Sequence, residues 1–214
     1  MRILIATIAD DPLDPPGESR YGGAQLFMFD VGRHLLRAGH EVHYLTRQSR
    51  PGKPRRQSLG LHYEIHRVPI GPEGELNHHE LWPYRRAIEA AAVELISLER
   101  PFDRVLSFNW LSGVAAKATG IRPHIHHILS LGRARLALGE EAHPSDQPRD
   151  AGEIEVFTHA DRLICVCRDE HLTLTKLYPE IDASKGHIIP YGTDAEVFYR
   201  RPCDPDDYIR RSAL

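Results

Sequence analysis

Arg2-Ile3-Leu4-Ile5-Ala6-Thr7-Ile8, closed by Asp10-Asp11-Pro12 and followed by Gly22-Gly23 and an apolar-striped run up to Gly39, is the stretch that decides the fold. So short a run of Ile and Leu, bounded by acids and proline, reads as a parallel strand covered on both faces. Residues 9–21 read as loop. From Ala24 to Ala38, Ala24, Met28, Val31, Leu35 and Ala38 recur at spacings of four and three, which puts one apolar stripe on a helix. Gly39 closes it as a left-handed cap. Val42 to Thr46 is the next strand. A glycine pair therefore sits at a helix start inside a β-α-β unit, where unpaired N–H groups and the helix dipole favour an anion. The pair is equally explained by a positive-φ turn into the helix. It is not the dinucleotide fingerprint, which needs three spaced glycines directly after the strand, and this disfavours a nicotinamide-dependent dehydrogenase.

The alternation continues outward from this unit. Arg47, Arg50, Lys53, Arg55 and Arg56 lie among Pro51, Gly52 and Pro54, a composition that predicts a solvated basic loop. Leu61 to Val68 alternates as an antiparallel or edge strand with one wet face. A helix is expected from Trp82 or Pro83 to Leu98, buried along Ile88, Ala91, Ala92, Leu95 and Ile96. Val105–Phe108 is a strand, Trp110–Thr119 an alanine-rich helix and His124–Leu129 a strand. Residues 130–147 have no clean periodicity. Helices over 150–159 and 170–177 then alternate with strands over 162–166 and 187–189. The predicted fold class is α/β, a doubly wound, mainly parallel, Rossmann-like sheet in a single domain. Ligands of such sheets sit at the carboxyl ends of the strands, where the loops after residues 8, 108, 129 and 189 gather.

With 214 residues and a net charge of -3, the chain can bury one substantial core and offers no global attraction to nucleic acid. Cys165, Cys167 and Cys203 are an odd set that points to a reducing, cytoplasmic setting, and the first apolar run is too short for a signal core or membrane span. Cys165 and Cys167 are expected on one strand face as buried thiols. His124 and His126 share a strand face, but spacing supplies no third ligand, so no metal is expected.

The loop Ser130-Leu131-Gly132-Arg133-Ala134-Arg135 and the run Arg149-Asp150-Ala151-Gly152-Glu153 place three arginines at one sheet edge, where guanidinium forks suit phosphate or carboxylate oxygens. Solvated loop cations and a capping box between Asp150 and Glu153 explain the same residues structurally.

These motifs, with Gly22-Gly23, Trp110-Leu111-Ser112-Gly113 and Ile189-Pro190-Tyr191-Gly192-Thr193-Asp194 before Phe198, resemble the N-terminal half of GT-B glycosyltransferases of family 4, the sucrose-phosphate synthase and mycothiol glycosyltransferase group. The resemblance covers nearly the whole chain. It implies an acceptor-side Rossmann-like domain over residues 1–200, with 201–214 as the start of a linker to a donor-binding domain whose motifs are not among the 214 residues. That domain is expected in cis or as a separate chain. The implied reaction moves a sugar, with retention of configuration, from a UDP- or GDP-sugar to a sugar or sugar-phosphate acceptor, without a cofactor or metal. The resemblance makes Gly22, Gly23 and Gln25 the loop that approaches donor phosphate or acceptor. It makes Asn109, Trp110, Ser130, Arg133, Arg135, Arg149 and Glu153 the acceptor-binding set. Arg133, Arg135 and Arg149 are expected to clamp the acceptor's phosphate, and Glu153 to pair with an arginine or an acceptor hydroxyl.

The chain departs from that pattern in two places. Where the family has His-x-His-Tyr it has Leu106, Ser107, Phe108 and Asn109, and Leu129 stands where a histidine contacts the transferred sugar. His127, on the same strand face about 6.6 to 6.8 Å earlier, is the candidate to replace it. Missing half and missing histidines together keep a second expectation open, a non-catalytic sugar-phosphate binding or regulatory module. Self-association through an apolar cleft wall of Trp110, Leu131 and Tyr191 is a further expectation.

Overall fold

The computed structural model describes residues 1–9, 11–14 and 22–193. Its strands are Arg2–Ala6 (β1), Glu41–Arg47 (β2), Arg56–Gly60 (β3), Tyr63–Val68 (β4), Arg104–Phe108 (β5), His124–His127 (β6), Arg162–Cys165 (β7) and Gly186–Ile188 (β8). Its α-helices are Gly23–Arg37 (α1), His78–Leu81 (α2), Arg85–Leu98 (α3), Trp110–Ala118 (α4), Gly132–Ala137 (α5), Asp146–His159 (α6) and Arg168–Leu177 (α7). The strands form one sheet in the order β3-β4-β2-β1-β5-β6-β7-β8, parallel throughout except for the antiparallel β3. From β1 the chain winds outward to β3 and then returns to the other side of β1 with β5. The two strands flanking that reversal are therefore β1 and β5, and a crevice opens beyond their carboxyl ends.

Both sheet faces are covered because β1 alternates between them. Ile3 and Ile5 join Met28 of α1 with Tyr44 and Phe108 on one face, while Leu4 and Ala6 meet Ile88 and Ala92 of α3 and Leu111 of α4 on the other. Ala24, Met28, Val31 and Leu35 of the α1 stripe pack on the sheet, whereas Ala38 is the exposed C-cap, and Gly39 takes φ +82 just beyond it. A second cluster under α6 and α7 joins Val156, Phe157, Leu163, Cys165 and Leu174. Helices α4 and α6 touch closely at two glycines. A Cβ on Gly113 would lie 2.4 Å from Val156, and one on Gly152 would lie 2.5 Å from the Trp110 ring.

Several local expectations are corrected. The basic segment is not simply solvated: Arg47 is buried in β2 and donates to the carbonyls of Pro72 (2.8 Å) and Gly74, and Lys53 reaches Asp11 at 2.7 Å. The same segment leads into a strand, β3, that the sequence hid. With β3 as the edge, β4 lies inside the sheet and is largely buried, its polar residues held by partners such as Arg67 Nε on the buried Asp11 at 2.7 Å. β7 ends at Cys165, so Cys167 is exposed and caps α7 instead of sharing a buried face. Helix α6 starts at Asp146, which puts Glu153 mid-helix and rules out a capping box with Asp150. β6 stops at His127, and residues 130–147 contain α5. The linker assigned to 201–214, Cys203, and the motif positions Asp194 and Phe198 lie outside the described residues.

Candidate functional site

The crevice edge begins at the start of α1. Gly22 is extended (φ -138, ψ -173), not left-handed, so a positive-φ turn does not explain the glycine pair. A Cβ on Gly23 would meet nothing within 4 Å. The backbone N–H of Gly22 donates to Gln25 Oε1 at 2.9 Å, half of a capping box, and the first turn carries no acid. Among the described residues no side chain but that of Gln25 caps this end of α1, which the helix dipole makes electropositive.

Across the crevice Asn109 follows β5 with φ 61 and ψ 159. A non-glycine residue held there stores about 1–3 kcal/mol of strain, of the kind that clusters at functional sites. Its Oδ1 accepts the Ser112 N–H at 2.9 Å and so caps α4. Ser112 in turn receives the Ile8 N–H on Oγ at 2.8 Å, locking the ends of β1 and β5 together. Trp110 is 5% exposed, wedged between Gly152 and Trp82, with ring centroids of the two tryptophans 5.2 Å apart.

The arginines do not all converge. Arg149 donates from Nε to Glu153 Oε1 (2.6 Å) and from one Nη to the Ser130 carbonyl (3.0 Å) and Oγ (2.9 Å). Glu153 is 1% exposed and also accepts the Gly132 N–H (3.0 Å) and the Tyr178 hydroxyl. Its oxygens are fully engaged, so of its two expected partners it takes the arginine. Burial beside Glu153 pushes the Tyr178 hydroxyl up, which keeps it a donor. Gly132 has no room for a side chain, since a Cβ would come within 2.8 Å of Arg149 Nε and 3.0 Å of Glu153 Oε2. Arg135 pairs with Asp146 and donates to the Glu141 carbonyl at 2.7 Å. Arg133 turns away: it pairs with Asp150 (2.5 Å) and Glu180 (2.7 Å), lies over the Tyr178 ring at 4.6 Å, and is held firmly charged by those carboxylates.

A cavity of about 470 Å³ brings Arg135, Arg149 and Trp110 together with His78, His79 and His143. Those histidines were not singled out in the sequence, because no periodicity joins 78 to 143. Tyr178 was missed for the same reason. Asp146 and Glu141 share the lining, so the cavity is zwitterionic and not a bare cationic hole.

His127 lies elsewhere on this edge, 6% exposed in a box of Phe27 (4.9 Å between centroids), Phe108 (5.6 Å) and Tyr191 (5.8 Å). Burial lowers it to about 4, so it is a neutral ring at ordinary pH, and Nδ1 has no partner among the described residues.

Residues 22–192 match the family described as Glycosyl transferase 4-like domain. The D-inositol 3-phosphate glycosyltransferase of Xylanimonas cellulosilytica is 30% identical over 219 aligned positions, which span 100% of this chain and 52% of that protein. The enzyme of the same name from Nocardiopsis dassonvillei is 30% identical over 205 positions, covering 92% of this chain and 47% of the relative. Among solved structures, the sucrose-phosphate synthase of Thermosynechococcus elongatus superposes with a TM-score of 0.84 at 21% identity, over 100% of this chain and 52% of that one. The chain thus spans about half the length of the curated relatives it matches, and none of its described helices is long and apolar enough to cross a membrane. Sheet order, crevice and sequence agree, and the chain belongs to the glycosyl transferase 4-like domain family.

Proposed function

We propose that this chain is the acceptor-binding half of a retaining glycosyltransferase that moves a sugar from a UDP- or GDP-linked donor to a phosphorylated sugar or cyclitol. The observation that carries it is the cavity at the carboxyl edge, where Glu153 fixes Arg149 and Arg135 stands beside it. A phosphate entering there gains charge-assisted bonds from two guanidiniums, one of them already oriented. The relatives, D-inositol 3-phosphate glycosyltransferases, favour a transferase over a module that only binds. The start of α1, which follows β1 at the carboxyl edge of the sheet, suits the donor's phosphates. The nucleotide itself needs a second domain, supplied in cis or by another chain, and no metal is required at this edge. His127 enters as a neutral, shape-setting ring below Tyr191 rather than as an acid or base. A cytoplasmic setting fits the free thiols of Cys165 and Cys167.

Calorimetric titration of the protein with inositol 3-phosphate and with free inositol tests the reading. The phosphorylated ligand should bind more tightly, and Arg149→Ala should erase most of the difference. Each charge-assisted bond contributes about 1.5–3 kcal/mol before solvent screening reduces it. Equal affinities for the two ligands in the unmutated protein would remove the phosphate site from this account.

A further inference from the structure

The side chains of His43, Glu64 and His66, none of which lines the acceptor cavity, bring three potential metal-ligand atoms within 4.8 Å of one another. The register explains the cluster. His43 of β2 pairs with Glu64 of β4, and His66 follows at i+2 opposite Leu45, so all three project from one face of the sheet. The separations are 2.9 Å from His43 Nδ1 to His66 Nε2, 4.0 Å from His43 Nδ1 to Glu64 Oε2, and 3.7 Å from His66 Nε2 to Glu64 Oε2. Ligand atoms around a tetrahedral zinc ion, with bonds of about 2.0–2.1 Å, lie about 3.3–3.4 Å apart, inside that range.

The surroundings favour a site over an incidental histidine pair. Glu41 Oε1 lies 2.9 Å from His43 Nε2, and Arg2 Nη2, 3.1 Å from the same nitrogen, donates one of its two protons to Glu99 at 2.6 Å. In the tautomer that donates Nε2–H to Glu41, the lone pair stays on Nδ1, 2.9 Å from His66 Nε2. A carboxylate behind a ligating histidine is the usual outer support of a metal-bound imidazole. The His43 ring is further fixed edge-on against Phe102, with centroids 5.2 Å apart. Access runs past Glu64, which is partly exposed and held at 2.7 Å by Arg56, a side chain 60% exposed that also reaches Glu99 at 3.2 Å. With Arg2, Arg56 and Arg100 facing Glu41, Glu64 and Glu99, a divalent ion that displaces Arg56 keeps local charge close to balance.

We propose that His43, Glu64 and His66 form a binding site for a divalent transition-metal ion, zinc by the character of its two imidazoles and one carboxylate. The ion would tie β2 to β4 and so secure the sheet end that carries the exposed strand β3. It would be a structural site, made of residues that do not line the acceptor cavity.

The test is titration of the chelator-treated chain with zinc chloride, paired with visible absorption after cobalt(II) loading. One equivalent should bind, with the intense cobalt bands of a four- or five-coordinate site, and zinc should raise the thermal midpoint. Glu64→Gln should weaken binding about tenfold or more, while Arg56→Gln, which releases the carboxylate, should tighten it. Long-range proton–nitrogen NMR of the unmutated protein should show zinc moving His43 Nδ1 and His66 Nε2, a readout that does not depend on any variant folding. Zinc binding that Glu64→Gln leaves unchanged, zinc that moves other histidine rings instead of these two, or no binding at all would each overturn the site.

Discussion

The buried carboxylate of Glu153 holds Arg149 Nε at 2.6 Å one helical turn before it on α6, and the same carboxylate caps the Gly132 N–H that opens α5. One acid thus sets both the arginine and the loop opposite it. Removing its charge while keeping its shape should uncouple them. Glu153→Gln is expected to cost about 1–3 kcal/mol of stability, because Tyr178 and Arg149 lose an ionised acceptor. It should also weaken phosphate-bearing ligands more than neutral ones. In a double-mutant cycle with Arg149→Ala the two losses should overlap strongly, as residues of one network do. Additive losses, measured by calorimetry with matched ligands, would mean that Glu153 does not act through Arg149.

Gly132 is expected to tolerate no side chain for a different reason. A methyl group there meets Arg149 Nε at 2.8 Å and Glu153 Oε2 at 3.0 Å, so either the loop or the ion pair must move. Gly132→Ala should lower stability by about 1–3 kcal/mol and impair phosphate binding as well. Denaturant unfolding reads the first and titration the second. A variant with unchanged affinity would show that the pair can shift without consequence for the cavity.

How much of this was legible follows from which forces act locally. The stripe of α1 and the apolar runs of β1 and β5 announce themselves because burial repeats along the chain. The edge strand Arg56-Gln57-Ser58-Leu59-Gly60 does not, since one apolar residue in five leaves no pattern. β4 misled for a related reason: its Glu64, His66 and Arg67 look solvent-facing, yet each is met by partners from elsewhere in the chain. In the site, Ser130, Arg149 and Glu153 were readable as residues, but their arrangement was not. The spacing of Arg149 and Glu153 at i,i+4 held the needed signal, and the capping-box reading of Asp150 obscured it. Tyr178, 25 positions from Glu153, left no local trace.

Acid sensitivity should follow from the buried imidazoles. His127 and His124 are lowered by burial from an ordinary 6.5 to about 4 and about 3. A histidine lowered in the folded state gives full stability above its unfolded value and loses it as pH falls toward the folded one, because the unfolded chain takes up the proton first. Between about pH 6.5 and pH 4 each such residue should cost about 1.4 kcal/mol per pH unit. Denaturant midpoints at constant ionic strength should therefore fall steadily over that window. His127→Phe, which suits a box of Phe27, Phe108 and Tyr191, should make the decline shallower. An unchanged slope in that variant would show that His127 takes up its proton without unfolding.

The apolar surface at the open edge of the sheet is smaller than Trp110, Leu131 and Tyr191 suggested, because Trp110 and Leu131 are only 5% and 6% exposed. What remains is continuous with the edge strand β8: Ile188 is 48% exposed, Ile189 53% and Tyr191 52%. An edge strand with an apolar face offers both unpaired backbone groups and a greasy surface to another chain. The protein should therefore self-associate reversibly at high concentration. Ile189→Lys, next to β8, should suppress this, since a charge at a sheet edge opposes pairing with a second copy, and it should leave phosphate binding intact because Ile189 does not line the cavity. Sedimentation velocity over a concentration series distinguishes the outcomes. A parent chain that stays monomeric throughout, or an Ile189→Lys chain that associates equally well, would show that this edge is not the surface that seeks a partner.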